Sequence, residues 1–167
     1  MHRLLRTSSR GMTLLEALIY VALLVLLLTA IIGLFVSMMR SYGALIVARH
    51  INESATIGME RMMRDIRAAS SVDAASILNA NPGQLTLLSG ATTTMFSLVN
   101  GSLRVRENGI DIGSLTLPDV SVDTLMFEKI TSSSILGVRI QLILTATSSV
   151  GTKSESFEDF AVLRGAY

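Results

Sequence analysis

One residue is out of keeping with its surroundings. Glu16 stands at the head of a run, Ala17 to Met39, that contains no charged side chain over 23 residues. A carboxylate one turn into a membrane helix costs about 1–3 kcal/mol unless it finds a partner. The chemistry on offer is therefore pairing with a cation rather than catalysis. Cations lie just upstream: Arg3, Arg6 and Arg10 all precede the first acidic residue. The other chemistry-bearing residues are sparse. There is no cysteine, which removes disulfides, thiolate catalysis and cysteine-ligated zinc. Of the two histidines, His2 falls in the basic segment and His50 lies beside Arg49 and Asn52, where it reads as an ordinary exposed side chain. Glu155, Glu158 and Asp159 form the densest acidic cluster, and Asp119 and Asp123 are close in sequence. Neither set matches a calcium loop with alternating oxygen ligands, so both read as solvated loop or strand edge. No nucleophile elbow, phosphate-binding glycine loop or histidine–metal spacing is present. The chain is expected to be no enzyme, with no cofactor and no metal.

These residues need elements to position them, and the sequence divides into four zones. Residues 1–11 are a basic leader, 12–39 a hydrophobic segment, 40–70 an amphipathic helix and 71–167 a β-rich domain. The charge-free run spans roughly 35 Å as a helix, enough to cross a bilayer core of about 30 Å. The competing reading, a buried core helix, conflicts with six turns that lack a polar face. In the third zone Ala55, Met59, Met62, Ile66 and Ala69 recur at spacings of 4, 3, 4 and 3, one stripe of a helix. Glu60/Arg64 and Arg61/Asp65 sit four apart, where opposite charges attract. No proline occurs before Pro82, so residues 12–70 are expected to form one helix, with Gly33 and Gly43 as its soft points.

Beyond Ser70, strands are predicted at Gln84–Leu88, Thr94–Val99, Ser102–Arg106, Val120–Ile130, Leu136–Thr147 and Phe157–Arg164. Thr131–Ser134 and Ser148–Ser156 read as polar loops, and Asn100-Gly101 as a two-residue hairpin turn. Val138, Ile140, Leu142 and Leu144 alternate with Arg139 and Gln141, the pattern of a half-buried antiparallel strand. The predicted fold class is α+β: a long N-terminal helix, half hydrophobic and half amphipathic, packed on a twisted antiparallel sheet of about five to seven strands. Asn52-Glu53-Ser54 and Asn100-Gly101-Ser102 match the glycosylation pattern, but so short a motif recurs by chance. From Ser71 onward 6 basic side chains face 9 acidic ones, which offers phosphates no basic face, so no nucleic-acid partner is expected.

Three readings compete for the start of the chain. A secretory signal peptide has a shorter apolar core and ends in small residues, unlike Val36-Ser37-Met38-Met39-Arg40. A plain signal anchor explains the length and the arginines, but not Glu16. The stretch Arg10-Gly11-Met12-Thr13-Leu14-Leu15-Glu16 resembles the recognition motif of type IV pilins and the pseudopilins of type II secretion. That resemblance is strong over the first 40 residues and extends to the rest only in outline.

It implies cleavage after Gly11 by a membrane prepilin peptidase and N-methylation of Met12, which stands where the family usually has phenylalanine. Glu16 would then pair with the terminal amine of a neighbouring subunit and set the registry of the helices. At about 4 Å and an effective dielectric near 20 the gross attraction is about 4 kcal/mol, before desolvation. The alternative for Glu16 is snorkelling to the headgroups. The leader arginines fit cytoplasmic retention by the positive-inside preference. The implied setting is a single-pass inner-membrane protein, C-terminal domain outside, passing into a pilus or pseudopilus. Its partners would be the peptidase, other subunits, an inner-membrane assembly platform and lipid.

Gly33 takes the approximate place of a proline usual in major pilins. Glu60-Arg61-Met62-Met63-Arg64-Asp65-Ile66-Arg67 and the ending Phe157–Arg164 look like minor subunits of the PilW and GspJ types. The expected role is a structural minor pilin or pseudopilin. The alternative is a single-pass, membrane-anchored extracytoplasmic binding protein with a β-rich domain.

Overall fold

A computed structural model describes residues 13–132, 135–148 and 151–164. Among the described residues a single helix, α1 (Leu14–Ala68), is followed by eight strands: β1 (Ser71–Val72), β2 (Gln84–Ser89), β3 (Thr92–Val99), β4 (Ser102–Glu107), β5 (Ile110–Ser114), β6 (Val120–Ser132), β7 (Ile135–Ser148) and β8 (Gly151–Val162). The fold class is α+β, as the sequence patterning predicts. The helix runs unbroken through Gly33 and Gly43. The described residues divide into two units, the first ending at Ser41 and the second beginning at Tyr42.

In the first unit, every residue from Thr13 to Ser41 is exposed. It holds a helical window of mean hydropathy 2.9, long and apolar enough to cross a membrane. The second unit opens with the remainder of α1, whose apolar stripe is buried. Ala55, Met62, Ile66 and Ala69 lie in the core as their spacing predicts, and Met59 packs partly buried against it. The stripe also begins earlier than predicted, at Val47 and Ile51, and it includes Ser54 and Gly58.

The strands form two sheets rather than the one predicted. Strands β1 to β5 make a five-stranded antiparallel meander, and β6 to β8 a three-stranded one. Asn100-Gly101 turns β3 into β4 with φ of 51° and 75°, the paired positive values of a two-residue hairpin. In β7, Val138, Ile140, Leu142 and Leu144 are fully buried while Arg139 is exposed. The sheets meet where β6 passes β2 and β4. The amide of Val122 donates to Gly101 O at 2.8 Å, and that of Gly83 to Leu125 O at 2.7 Å. One face of each sheet joins the helix stripe in a common core that includes Phe96, Leu103, Phe127 and Leu142.

Two predicted loops are shorter than expected. Strand β6 continues to Ser132, so only residues 133–134 of the expected loop, which lie outside the described residues, fall between strands. Strand β8 begins at Gly151, six residues before the predicted start at Phe157, and pairs with β7 along its whole length. Its first residues, Thr152 to Ser156, are polar and mostly exposed, so no apolar alternation marks them. Strands β1 and β5 were not predicted. The first has two residues, and the second buries neither face, which removes the period-2 signal on which strand prediction rests.

Candidate functional site

The residues singled out by sequence cluster at the start of α1. Gly11 and Met12 lie outside the described residues, as do Arg3, Arg6 and Arg10. From Thr13 onward the local geometry is defined. The Thr13 hydroxyl accepts from the backbone amide of Glu16 at 3.3 Å, and the Thr13 carbonyl accepts from Ala17 at 3.1 Å. Thr13 is therefore the N-cap, satisfying one of the amides that a helix leaves orphaned at its start. The order Thr-x-x-Glu is that of a capping box, and it places Glu16 in the first helical turn, where a negative charge meets the positive end of the helix dipole.

The Glu16 carboxylate does not fold back to the Thr13 amide. Its Oε1 instead accepts from the Tyr20 hydroxyl at 3.3 Å, one turn along. Sequence reading missed Tyr20; the i, i+4 spacing within an otherwise apolar face was the available signal. Further along, the Thr29 hydroxyl bonds the carbonyls of Val25 and Leu26, and Ser41 bonds Ser37 O. Glu16 thus remains the single charged group between Thr13 and Met39, with a neutral donor as its hydrogen-bond partner.

In the second unit the polar groups of α1 fasten it to the sheets. Ser54 is fully buried, and its hydroxyl accepts from the Leu117 amide at 3.1 Å. Arg61 donates to Asp65 at 2.8 Å and to Glu107 on β4. The Asp65 hydrogen bond, against some desolvation, holds the Arg61 guanidinium above its usual pKa. Of the two predicted helix pairs, Arg61/Asp65 forms. Arg64 turns to the adjacent Asp65, at 3.6 Å. At the far end, Ser89 donates to Ala68 O at 3.1 Å, covering a carbonyl that the helix terminus leaves open.

The remaining candidates separate. His50, expected to be an ordinary exposed histidine, pairs through Nδ1 with Asp119 from the loop between β5 and β6. Asp123 accepts from the Thr145 hydroxyl of β7, at a register shift in β6. The two aspartates therefore serve different neighbours. Glu155 pairs with Lys153, Glu158 with Arg139 at 3.3 Å, and Asp159 accepts from the Phe160 amide at 2.7 Å. Among the described residues, no group of three or more His, Asp or Glu side chains is arranged to hold a metal ion. Asn52 lies inside α1 and donates to Ala48 O at 2.9 Å. Comparison of the chain with protein-family models, with curated proteins and with solved structures gave no match.

Proposed function

We propose that the chain is a non-enzymatic filament subunit, a minor pilin or pseudopilin cut between Gly11 and Met12 and assembled through the apolar half of α1. The observation that carries this reading is the division of labour along one helix. Its first part is exposed, apolar and headed by a lone carboxylate, whereas its later part buries one stripe against a β-rich domain. A membrane anchor needs the apolar length but not Glu16. A subunit that stacks against copies or relatives has a use for both, because a buried ion pair fixes how far one helix slides along the next. In this reading the cut removes the leader arginines that hold residues 1–11 in the cytoplasm, and it creates the cation that Glu16 lacks within its own helix. The β-rich domain stands outside the inner membrane, and the assembly platform and other subunits are the partners.

The test is co-expression with a prepilin peptidase and a filament-assembly system, followed by shearing and detection of the chain in the filament fraction. Glu16→Ala should leave processing intact and deplete the chain from filaments. Incorporation of Glu16→Ala at the wild-type level refutes the registry role. A chain that stays in the membrane fraction at full length supports the alternative, an anchored binding protein.

A further inference from the structure

Tyr20 is the residue that the filament reading does not use and the structure singles out. It lies one turn beyond Glu16 on the same helix face, and its hydroxyl reaches Glu16 Oε1 at 3.3 Å. Thr29 and Ser41 turn their hydroxyls back onto carbonyls of their own helix. A tyrosine side chain is too long to do that, and in hydrocarbon a phenol without an acceptor is costly, so this hydroxyl needs a partner other than its own helix backbone. A hydroxyl at this spacing has a use if it serves the carboxylate.

We propose that Tyr20 is the positioning residue for Glu16 in the unassembled subunit. Its hydroxyl engages one carboxylate oxygen and fixes the side chain against the helix, leaving Oε2 open to an incoming cation. A carboxylate has acceptor sites on both oxygens, so the bond from Tyr20 and a bond from an amine do not exclude one another. A hydrogen bond to an ionised acceptor is also stronger than one between neutral groups, which favours holding the side chain in one orientation before docking. The inference rests on the filament reading and names a further residue of the same registry site. The incoming group is the terminal amine of a neighbouring subunit.

The pairing is read without any filament, in the full chain in lipid bilayers with ¹³Cζ-labelled tyrosine. The chain has three tyrosines, Tyr20, Tyr42 and Tyr167, and Tyr20→Phe identifies the first resonance by its loss. Glu16→Ala should shift the Tyr20 signal and leave that of Tyr42 in place; an unshifted Tyr20 signal overturns the pairing. In the assembly system, Tyr20→Phe should lower incorporation roughly two- to tenfold, the worth of one hydrogen bond, with cleavage unchanged. It should lower it no further when combined with Glu16→Ala. Undiminished incorporation, or an additive loss in the double variant, overturns the positioning role. If the Tyr20 signal shifts but the wild-type chain enters no filament, the filament reading fails together with the positioning role, and the pairing stands.

Discussion

Gly58 tests how closely α1 lies on the sheet, because two effects of opposite sign meet there. In an open helix, glycine to alanine stabilises by about 1 kcal/mol, from backbone entropy and propensity. At Gly58, however, an added Cβ would sit 3.0 Å from Leu103 Cδ2, and Leu103 is fully buried on β4. Carbon atoms prefer separations of about 3.5–4.0 Å, so one group must move. Overpacking of this kind costs about 1–3 kcal/mol, and the end of a leucine side chain yields more readily than backbone. The net effect of Gly58→Ala is thus a destabilisation of about 0–2 kcal/mol. Leu103→Ala alone should cost about 2–5 kcal/mol through the cavity it leaves. With that side chain gone, Gly58→Ala should stabilise by about 1 kcal/mol, giving a coupling of about 1–3 kcal/mol in the double-mutant cycle. Native-state hydrogen exchange of the β4 and β6 amides, in the full chain in mild detergent, reads these energies. If Gly58→Ala stabilises the wild type by the full 1 kcal/mol, with no coupling to Leu103, the helix does not pack where the structure places it. Gly33 offers the contrast, since beyond its own helix backbone nothing lies within 4 Å of a Cβ added there.

Ser54→Ala should cost about 1–3 kcal/mol, because it strands the Leu117 amide, and exchange at Leu117 should accelerate more than elsewhere in the domain. Arg61→Met should destabilise by about 1–2 kcal/mol in urea denaturation, above the value of an exposed pair because Asp65 is largely covered. Glu107→Gln, at the more exposed end of the same network, should cost less than Asp65→Asn. Thr86→Val should be neutral or stabilising by up to about 1 kcal/mol in the same assay, since the buried Thr86 hydroxyl has no hydrogen-bond partner to lose.

The parts of the fold that could be read from sequence are those where burial has a period. The run from Val138 to Leu144 and the stripe from Ala55 to Ala69 expose their spacing directly. Asn100-Gly101 gave a turn through its backbone demands, and Asn108-Gly109, with φ of 50° and 82°, carries the same signal between β4 and β5, where it was missed. Periodicity is silent where a strand buries nothing, as in β5, or where hydrogen bonding alone continues it, as in the polar start of β8. It is also silent about which sheet a strand joins. The ladders decide that, and where the two sheets then meet is set by contacts distant in sequence, such as Val122 with Gly101 or Gly83 with Leu125. Ser54 and Gly58 illustrate a second limit. A serine and a glycine on a helix carry no mark of burial until the loop at Leu117 and the side chain of Leu103 arrive against them. At the head of the helix, Glu16 stood out because it was alone. Tyr20, apolar in most of its surface, did not, and only the hydroxyl's position one turn away brings the two together.

The filament reading depends first on the bond between Gly11 and Met12. The direct measurement is the intact mass and N-terminal sequence of the chain purified after co-expression with a prepilin peptidase. The expected product is shorter by 11 residues, begins with N-methylated Met12 and retains the whole of α1. A full-length chain, or one cut beyond the apolar run, contradicts it.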